Sequence, residues 1–328
     1  MTFPDRPSMI RLLIALALVL AGTLAQAQTW PQKPVRVIVP FAPGGASDLM
    51  PRLVGEKLGS IWGQPVVIEN RPGAAGNLGM EAGAKAPADG YTLLSAPNGN
   101  LVVNPHMYSK LAYDVFKDLA PITRIAAVQN VLVVHPDVPA RTVKELVTLA
   151  KAKPGTLNFA SPGNGSQAHV AVELLKLQLG LDLVHVPYQG VGPAMKDLLG
   201  GRIQLMIAQV PSALPHIKAG TLRALGVAST APLEALPGVP TIASAADLPG
   251  FEAVSWYALM VPAGTPRDVI ARIHTDVARV LQMPDVRERL AAMGAEPSGE
   301  SPGELAARSK AEYDRWGEVA RKANIKAD

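Results

Sequence analysis

Val35-Arg36-Val37-Ile38-Val39-Pro40-Phe41-Ala42-Pro43-Gly44-Gly45-Ala46-Ser47-Asp48 is the stretch from which the rest of the chain can be read. Its first five residues form a short β-branched run of the kind buried in a parallel sheet. Pro43-Gly44-Gly45 then forces a turn, because proline fixes φ and glycine accepts positive φ. Ser47 or Asp48 is expected to cap a helix running to Leu58-Gly59, with Gly59 as its stop and Pro51 in its first turn. Strand, glycine loop and helix N-terminus in that order offer unpaired backbone N–H groups to an anion at the carboxyl edge of a sheet. The stretch reads either as half of an anion clamp or as a plain tight βα turn.

The chain has 328 residues, enough for two domains with cores of their own. With 48% hydrophobic and 18% charged residues it is not a disordered sequence. Arg6 and Arg11, the apolar run from Leu12 to Ala21, and Ala25-Gln26-Ala27 make residues 1–27 an expected export signal, cleaved after Ala27. The apolar run is too short to span a bilayer. Its removal lowers the net charge from +4 to +3, since Asp5, Arg6 and Arg11 leave with it. So mild a balance, without a Lys/Arg block, argues against nucleic acid and suits modest steering of small anions. Cysteine is absent. A chain of this size needs no disulfides after export, and it lacks the lipid-bearing cysteine of a lipoprotein. A soluble periplasmic monomer is expected.

After the opening unit come a second strand at Pro65–Glu69 closed by Asn70-Arg71-Pro72-Gly73, a helix at Gly76–Ala86, and a third strand at Tyr91–Ser95 followed by Pro97-Asn98-Gly99-Asn100. The alternation implies right-handed crossovers and a parallel sheet, with the loops Ala42–Ser47, Asn70–Gly73 and Ser95–Asn100 on one edge. Past residue 125 the architecture repeats. The strand Leu157–Ser161 leads into Pro162-Gly163-Asn164-Gly165-Ser166-Gln167 and a helix to Leu179, then come the strands Leu183–Pro187, Ile203–Ile207 and Leu222–Ala228. A strand at Val254–Val261 and three helices over 267–322 return toward the first domain. The expected fold is α/β and two-lobed, with a mainly parallel sheet in each lobe. Lobe 1 is expected over 28–124 and 230–328 and lobe 2 over 125–229, giving two hinge crossings and two strand–glycine–helix units facing each other across a cleft.

Catalytic patterns fall on inspection. Gly299-Glu300-Ser301-Pro302-Gly303 matches the G-x-S-x-G elbow, but the residue after the serine must give an N–H to the oxyanion hole, and Pro302 has none. Gly163-Asn164-Gly165-Ser166-Gln167-Ala168 matches a permissive dinucleotide fingerprint, yet the next strand ends in Tyr188-Gln189 where an acid is needed for the ribose. No Walker A pattern occurs. The six histidines (106, 135, 169, 185, 216 and 274) show no metal-ligand spacing, and His169 and His185 beside the second loop read as structural. No cofactor, metal or catalytic residue is expected.

The ordered set of short pieces resembles the solute receptors of tripartite tricarboxylate transporters, the Bug or TctC-like family. Those pieces are Trp30-Pro31-x-Lys33-Pro34, Pro43-Gly44-Gly45-x-x-Asp48, Glu69-Asn70-Arg71-Pro72-Gly73-Ala74-x-Gly76, Asn104-Pro105-x-x-Tyr108, Gly163-x-Gly165-Ser166-x-x-His169, His185-Val186-Pro187-Tyr188-x-Gly190, Pro211-Ser212-Ala213-Leu214-Pro215-His216-Ile217, and Pro262-Ala263-Gly264-Thr265-Pro266. The resemblance implies a type II periplasmic binding protein that closes on a small carboxylate and delivers it to an integral-membrane permease, with no covalent chemistry. It implies ligand contacts at Phe41, Gly44, Gly45, Ala46, Ser47, Asp48, Asn98, Ser161, Asn164, Gly165 and Ser166, the backbone N–H groups of Gly45–Asp48, Gly165 and Ser166 holding the carboxylate. It also implies a ligand contact at Ala208, a pocket position where many relatives carry Asp. That departure implies a purely anionic ligand, a dicarboxylate or aromatic acid, over an amino acid. The competing readings are a secreted α/β enzyme acting on small acids and a receptor that feeds a membrane sensor.

Overall fold

The computed structural model describes residues 30–322 and 324–326; the expected export signal over 1–27 lies outside them. In chain order the strands are β1 (Val35–Val39), β2 (Val66–Asn70), β3 (Thr92–Pro97), β4 (Leu119–Val128), β5 (Asn130–Val134), β6 (Asn158–Ser161), β7 (Val184–Pro187), β8 (Leu205–Gln209), β9 (Arg223–Val227), β10 (Ser255–Pro262) and β11 (Ala295–Pro297). The helices are α1 (Ala46–Trp62), α2 (Asn77–Ala84), α3 (Asn104–Met107), α4 (Val143–Ala152), α5 (Gln167–Leu179), α6 (Val191–Leu199), α7 (Val210–Lys218), α8 (Ile242–Ala245), α9 (Arg267–Leu281), α10 (Pro284–Ala292) and α11 (Pro302–Lys322).

Two sheets result, with strand orders β11-β4-β10-β3-β1-β2 and β7-β6-β8-β5-β9. β1 pairs in parallel with β2 and β3, and β6 with β7 and β8. β10 lies antiparallel between β3 and β4, and β5 antiparallel between β8 and β9. Each sheet is therefore mixed, not mainly parallel as expected from the βα alternation. The crossings explain this. Strands that end in a βα loop run toward the neighbouring lobe, whereas β5 and β10 begin at the connection and must run away from it.

The chain changes sheets across Gln129 and regains the first sheet at Ser255. The expected division at residue 125 thus falls inside β4. Beyond residue 230, Thr241 still bridges Val227, and Ile242 still packs on Gly226 of the second sheet. One face of the first sheet is covered by Met50, Leu53 and Leu58 of α1 with Ile273, Val277 and Val280 of α9. On its other face Ile38, Leu94 and Trp256 meet Leu305 and Trp316 of α11, in a cluster that continues into Leu132, Phe159 and Ile207 of the second sheet.

α1 runs past Gly59 to Trp62 and stops at Gly63, whose φ of 64° is left-handed. A mid-helix glycine costs about 1 kcal/mol. Continuing the helix buries Trp62, whose Nε1 donates to Asp276 at 2.8 Å, and that burial offsets the cost. Pro51 occupies the sixth helical position, not the first turn. Its missing N–H leaves the Ser47 carbonyl without an intrahelical donor, and the buried hydroxyl of Ser95 on β3 donates to that carbonyl at 3.1 Å. Ser95→Ala should cost about 1–3 kcal/mol in urea unfolding. Pro51→Ala restores the backbone donor, so the double variant should lose clearly less than the two single losses combined; strict additivity would contradict this pairing.

Candidate functional site

Both strand–glycine–helix units place the first turn of a helix at a sheet edge. α1 starts after Gly45, which is extended (φ −87°, ψ 171°) and gives no side-chain cap. The Asp48 and Leu49 amides bond the Gly45 carbonyl, and the Gly44 amide donates to Asp48 Oδ2 at 3.0 Å. The amides of Gly45, Ala46 and Ser47 are left without an acceptor among the described residues. Gly45 is exposed and Ala46 half-buried, so this turn is open to a solute.

Asp48 is 1% exposed and does not cap the helix. Its carboxylate folds back on the loop, pairs with Arg52 one turn on at 2.8 Å, and accepts from Asn70 Nδ2 at 2.9 Å. Burial pushes its pKa up, but the bonds from Arg52, Gly44 and Asn70 outweigh burial and hold it below the usual carboxylate range. Asp48 thus braces the loop with its charge compensated. Asn70 Nδ2 also donates to the Phe41 carbonyl, and the Phe41 ring lies over Gly76. The loops after β1, β2 and β3 therefore converge, tied by Asn70, by Ser95, and by Asn100 Nδ2 on the Ala75 carbonyl.

In the second unit Ser166 caps α5, its hydroxyl accepting from His169 N at 3.3 Å. The Ser166 amide bonds the Gly163 carbonyl and the Gly165 amide bonds His169 Nδ1 at 3.2 Å, so neither amide is open to a ligand. The amides left without an acceptor among the described residues belong to Asn164, Gln167 and Ala168. Ser161 is fully buried; its hydroxyl bonds the Gly163 backbone and His185 Nε2 at 2.7 Å. Asn98 is 2% exposed and spends both amide hydrogens on protein, on Gln167 Oε1 and the Val254 carbonyl. Ala208 is 1% exposed in an apolar cluster with Val131, Met206 and Ala213.

The two loops meet. Besides the Asn98–Gln167 bond, a Cβ built on Gly99 would lie 2.7 Å from the Gly165 carbonyl oxygen. The cationic groups nearby are already paired, Arg52 with Asp48 and Lys176 with Glu173. What remains is a set of neutral N–H donors at two helix starts, each favouring an anion. An open recess of about 520 Å³, lined by Tyr108, Asp114, Phe116, Asp118 and Tyr313 among others, shares no residue with these loops. Its carboxylates and ring faces suit no anion.

Sequence reasoning did not find Gln167, Ala168, Arg52, Asn70 or the loop-bracing role of His169. The Asp48–Arg52 spacing of four on a helix was an available signal; the others depend on tertiary contacts. Beneath the second loop the His169 and His185 rings stack at 3.9 Å, with Phe159 4.7 Å from His185. Burial, then the neighbouring His185 and Lys176, pushes His169 down to about 3; burial, then Lys176, pushes His185 down to about 4. Both are neutral in the fold, while an unfolded histidine titrates near 6.5. Their contribution is complete above that value and is lost as pH falls toward the folded values. These two rings together should contribute a slope approaching about 2.7 kcal/mol per pH unit near pH 5, beside that of His106, whose pKa burial also lowers. Urea titrations at pH 5 to 7 should show a slope smaller by about 1.4 kcal/mol per pH unit near pH 5 in His185→Gln; an unchanged slope would contradict the assignment.

Residues 50–325 match the family described as the tripartite tricarboxylate transporter family receptor. The chain is 39% identical to BugT of Bordetella pertussis over 97% of its own length and 99% of that protein. A Rhodopseudomonas palustris protein solved with adipate superposes with a TM-score of 0.85 at 36% identity, covering 90% of this chain and 99% of that one. MatC from the same organism, solved with malate, gives 0.82 at 33% identity, covering 88% and 99%. The α/β two-lobed architecture is that of these periplasmic binding proteins. The family match over residues 50–325 and the near full-length coverage of these relatives show that the chain belongs to the tripartite tricarboxylate transporter receptor family, a family of solute-binding receptors and not of enzymes.

Proposed function

We propose that this receptor captures a small dicarboxylate between its lobes in the periplasm and hands it to the membrane subunits of a tripartite transporter, after cleavage of its export signal near Ala27. The observation that carries this reading is the pair of amide sets, Gly45, Ala46 and Ser47 on one lobe and Asn164, Gln167 and Ala168 on the other, without acceptors of their own. Three donors at one helix start can hold a carboxylate oxygen pair only weakly in water, because the dipole at an exposed terminus is worth about 0.3–1 kcal/mol. Enclosed between two lobes the same donors act in a lower dielectric and each bond to an anion is worth about 1.5–3 kcal/mol. A ligand that requires both sets therefore shifts the lobes toward closure.

Amides without a free cation favour carboxylates over phosphates, which recruit Arg or Lys. The relatives solved with adipate and with malate support a dicarboxylate. An α-amino acid would bring an ammonium group, and the carboxylates at hand are engaged: Asp48 by Arg52 and Asn70, Glu173 by Lys176. Ala208 adds no charge. We therefore infer that plain and hydroxylated dicarboxylates bind more tightly than aspartate or glutamate.

Isothermal titration of the purified mature chain should give tighter binding of adipate or malate than of aspartate by at least about tenfold, a difference of about 1.4 kcal/mol. Tighter binding of aspartate would contradict the ligand class. Ala46→Pro is the sharpest single change. Proline is welcome at the first helical position, and the extended Gly45 suits the residue before it, so the fold should stay while one donor disappears. Affinity should fall about tenfold or more with the urea midpoint unchanged; full affinity in Ala46→Pro would remove α1 from the site.

A further inference from the structure

Asn98 follows β3 at the start of a helical segment over Gly99–Val103, where its side-chain amide donates to Gln167 Oε1 at 3.1 Å and to the Val254 carbonyl at 3.0 Å. Gln167 is the first residue of α5 and is 6% exposed; its backbone N–H is one of the amides without an acceptor. Val254 lies on the connection between lobes. The residue before it, Ala253, donates to the Ala228 carbonyl just beyond β9, and the residue after it opens β10. One carboxamide thus joins the first lobe, the connection and the anion loop of the second lobe.

The surroundings show how close this junction is. A Cβ on Gly165 would lie 2.0 Å from Asn104 Oδ1, and one on Gly99 would lie 2.7 Å from the Gly165 carbonyl oxygen. The two loops meet backbone to backbone, and Asn98–Gln167 is the side-chain hydrogen bond that spans them. On another part of the seam Gln209 Nε2 donates to the Tyr257 hydroxyl at 2.6 Å. Asn98 and Gln167 belong to different sheets, so their bond must break when the lobes part, whereas the bond to Val254 need not.

We propose that Asn98 is a positioning residue for ligand capture: by holding the Gln167 side chain it brings the first turn of α5 against the loops of the first lobe. The amides of Gln167 and Ala168 then face the same space as those of Gly45, Ala46 and Ser47. Asn98 acts through Gln167 and does not itself donate to the solute, because both its hydrogens are spent. The assignment rests on the reading of this cleft as the ligand site.

The chain has no cysteine, so Lys85→Cys just past α2 and Arg202→Cys beyond α6 accept one spin label per lobe without background. Both side chains are well exposed, at 62% and 75%. Pulsed dipolar distances on the ligand-free labelled chain should show a closed population. Its ratio to the open one should fall about two- to tenfold in Asn98→Ala and in Gln167→Ala, with no further fall in the double variant. Gln167→Ala keeps the Asn98–Val254 bond and so serves if Asn98→Ala folds poorly. Adipate affinity should weaken by the same factor, through faster dissociation at an unchanged association rate. Unchanged distances in the single variants, or independent effects in the double, would overturn the proposal. Ala46→Pro separates the two readings: it should weaken adipate binding and leave the distances alone. If adipate binds not even the parent chain, the ligand reading fails and the distances still decide the role of Asn98.

Discussion

An α-helix cannot satisfy the N–H groups of its own first turn, and a sheet built from βα units puts such turns along one edge. This constraint organises the molecule. β1 and β6 each deliver the chain into a glycine loop and a helix start, and the connections at Gln129 and near Val254 carry the chain between the two sheets. The antiparallel strands β5 and β10 follow from the same connections, since a strand leaving the junction must run against those arriving at it. On the proposed reading the binding chemistry is a by-product of topology, refined by which orphan amides are consumed internally.

That refinement is visible residue by residue. Asp48 takes the Gly44 amide and is itself neutralised by Arg52, which keeps a buried carboxylate from repelling an arriving anion. His169 takes the Gly165 amide through Nδ1, and Ser166 caps α5 through its hydroxyl. Each helix start is left with open amides, Gly45, Ala46 and Ser47 on one side and Asn164, Gln167 and Ala168 on the other, on a braced frame. His169, neutral and stacked on His185, supplies an acceptor without charge, which a carboxylate in the same place could not do beside an anion site. Preorganised donors of this kind cost little to order when the ligand arrives.

Much of this was legible in the sequence. The run Val35–Val39 with Pro43-Gly44-Gly45, and its echo at Asn158–Gln167, announced both units, because β-branched runs and glycine turns act locally. The end of α1 was not legible: Gly59 looks like a stop until Trp62 is seen to bury itself against Asp276, more than two hundred residues away. Pro51 was misplaced for a similar reason, since its rescuer Ser95 sits on another strand. Which amides stay open could not be read at all. Gly165 and Ser166 carry the motif, yet side-chain and loop acceptors claim their N–H groups and the open ones shift to Asn164, Gln167 and Ala168.

The central claim is that two separate helix starts grip one anion. Backbone amide chemical shifts of the mature chain, followed by NMR during titration with malate, test it most directly. The account predicts large downfield proton shifts at Gly45, Ala46, Ser47, Asn164, Gln167 and Ala168 that saturate together at one ligand per chain, with Gly44, Gly165 and Ser166 shifting far less. Saturable malate binding that left either set of three amides unmoved would contradict it.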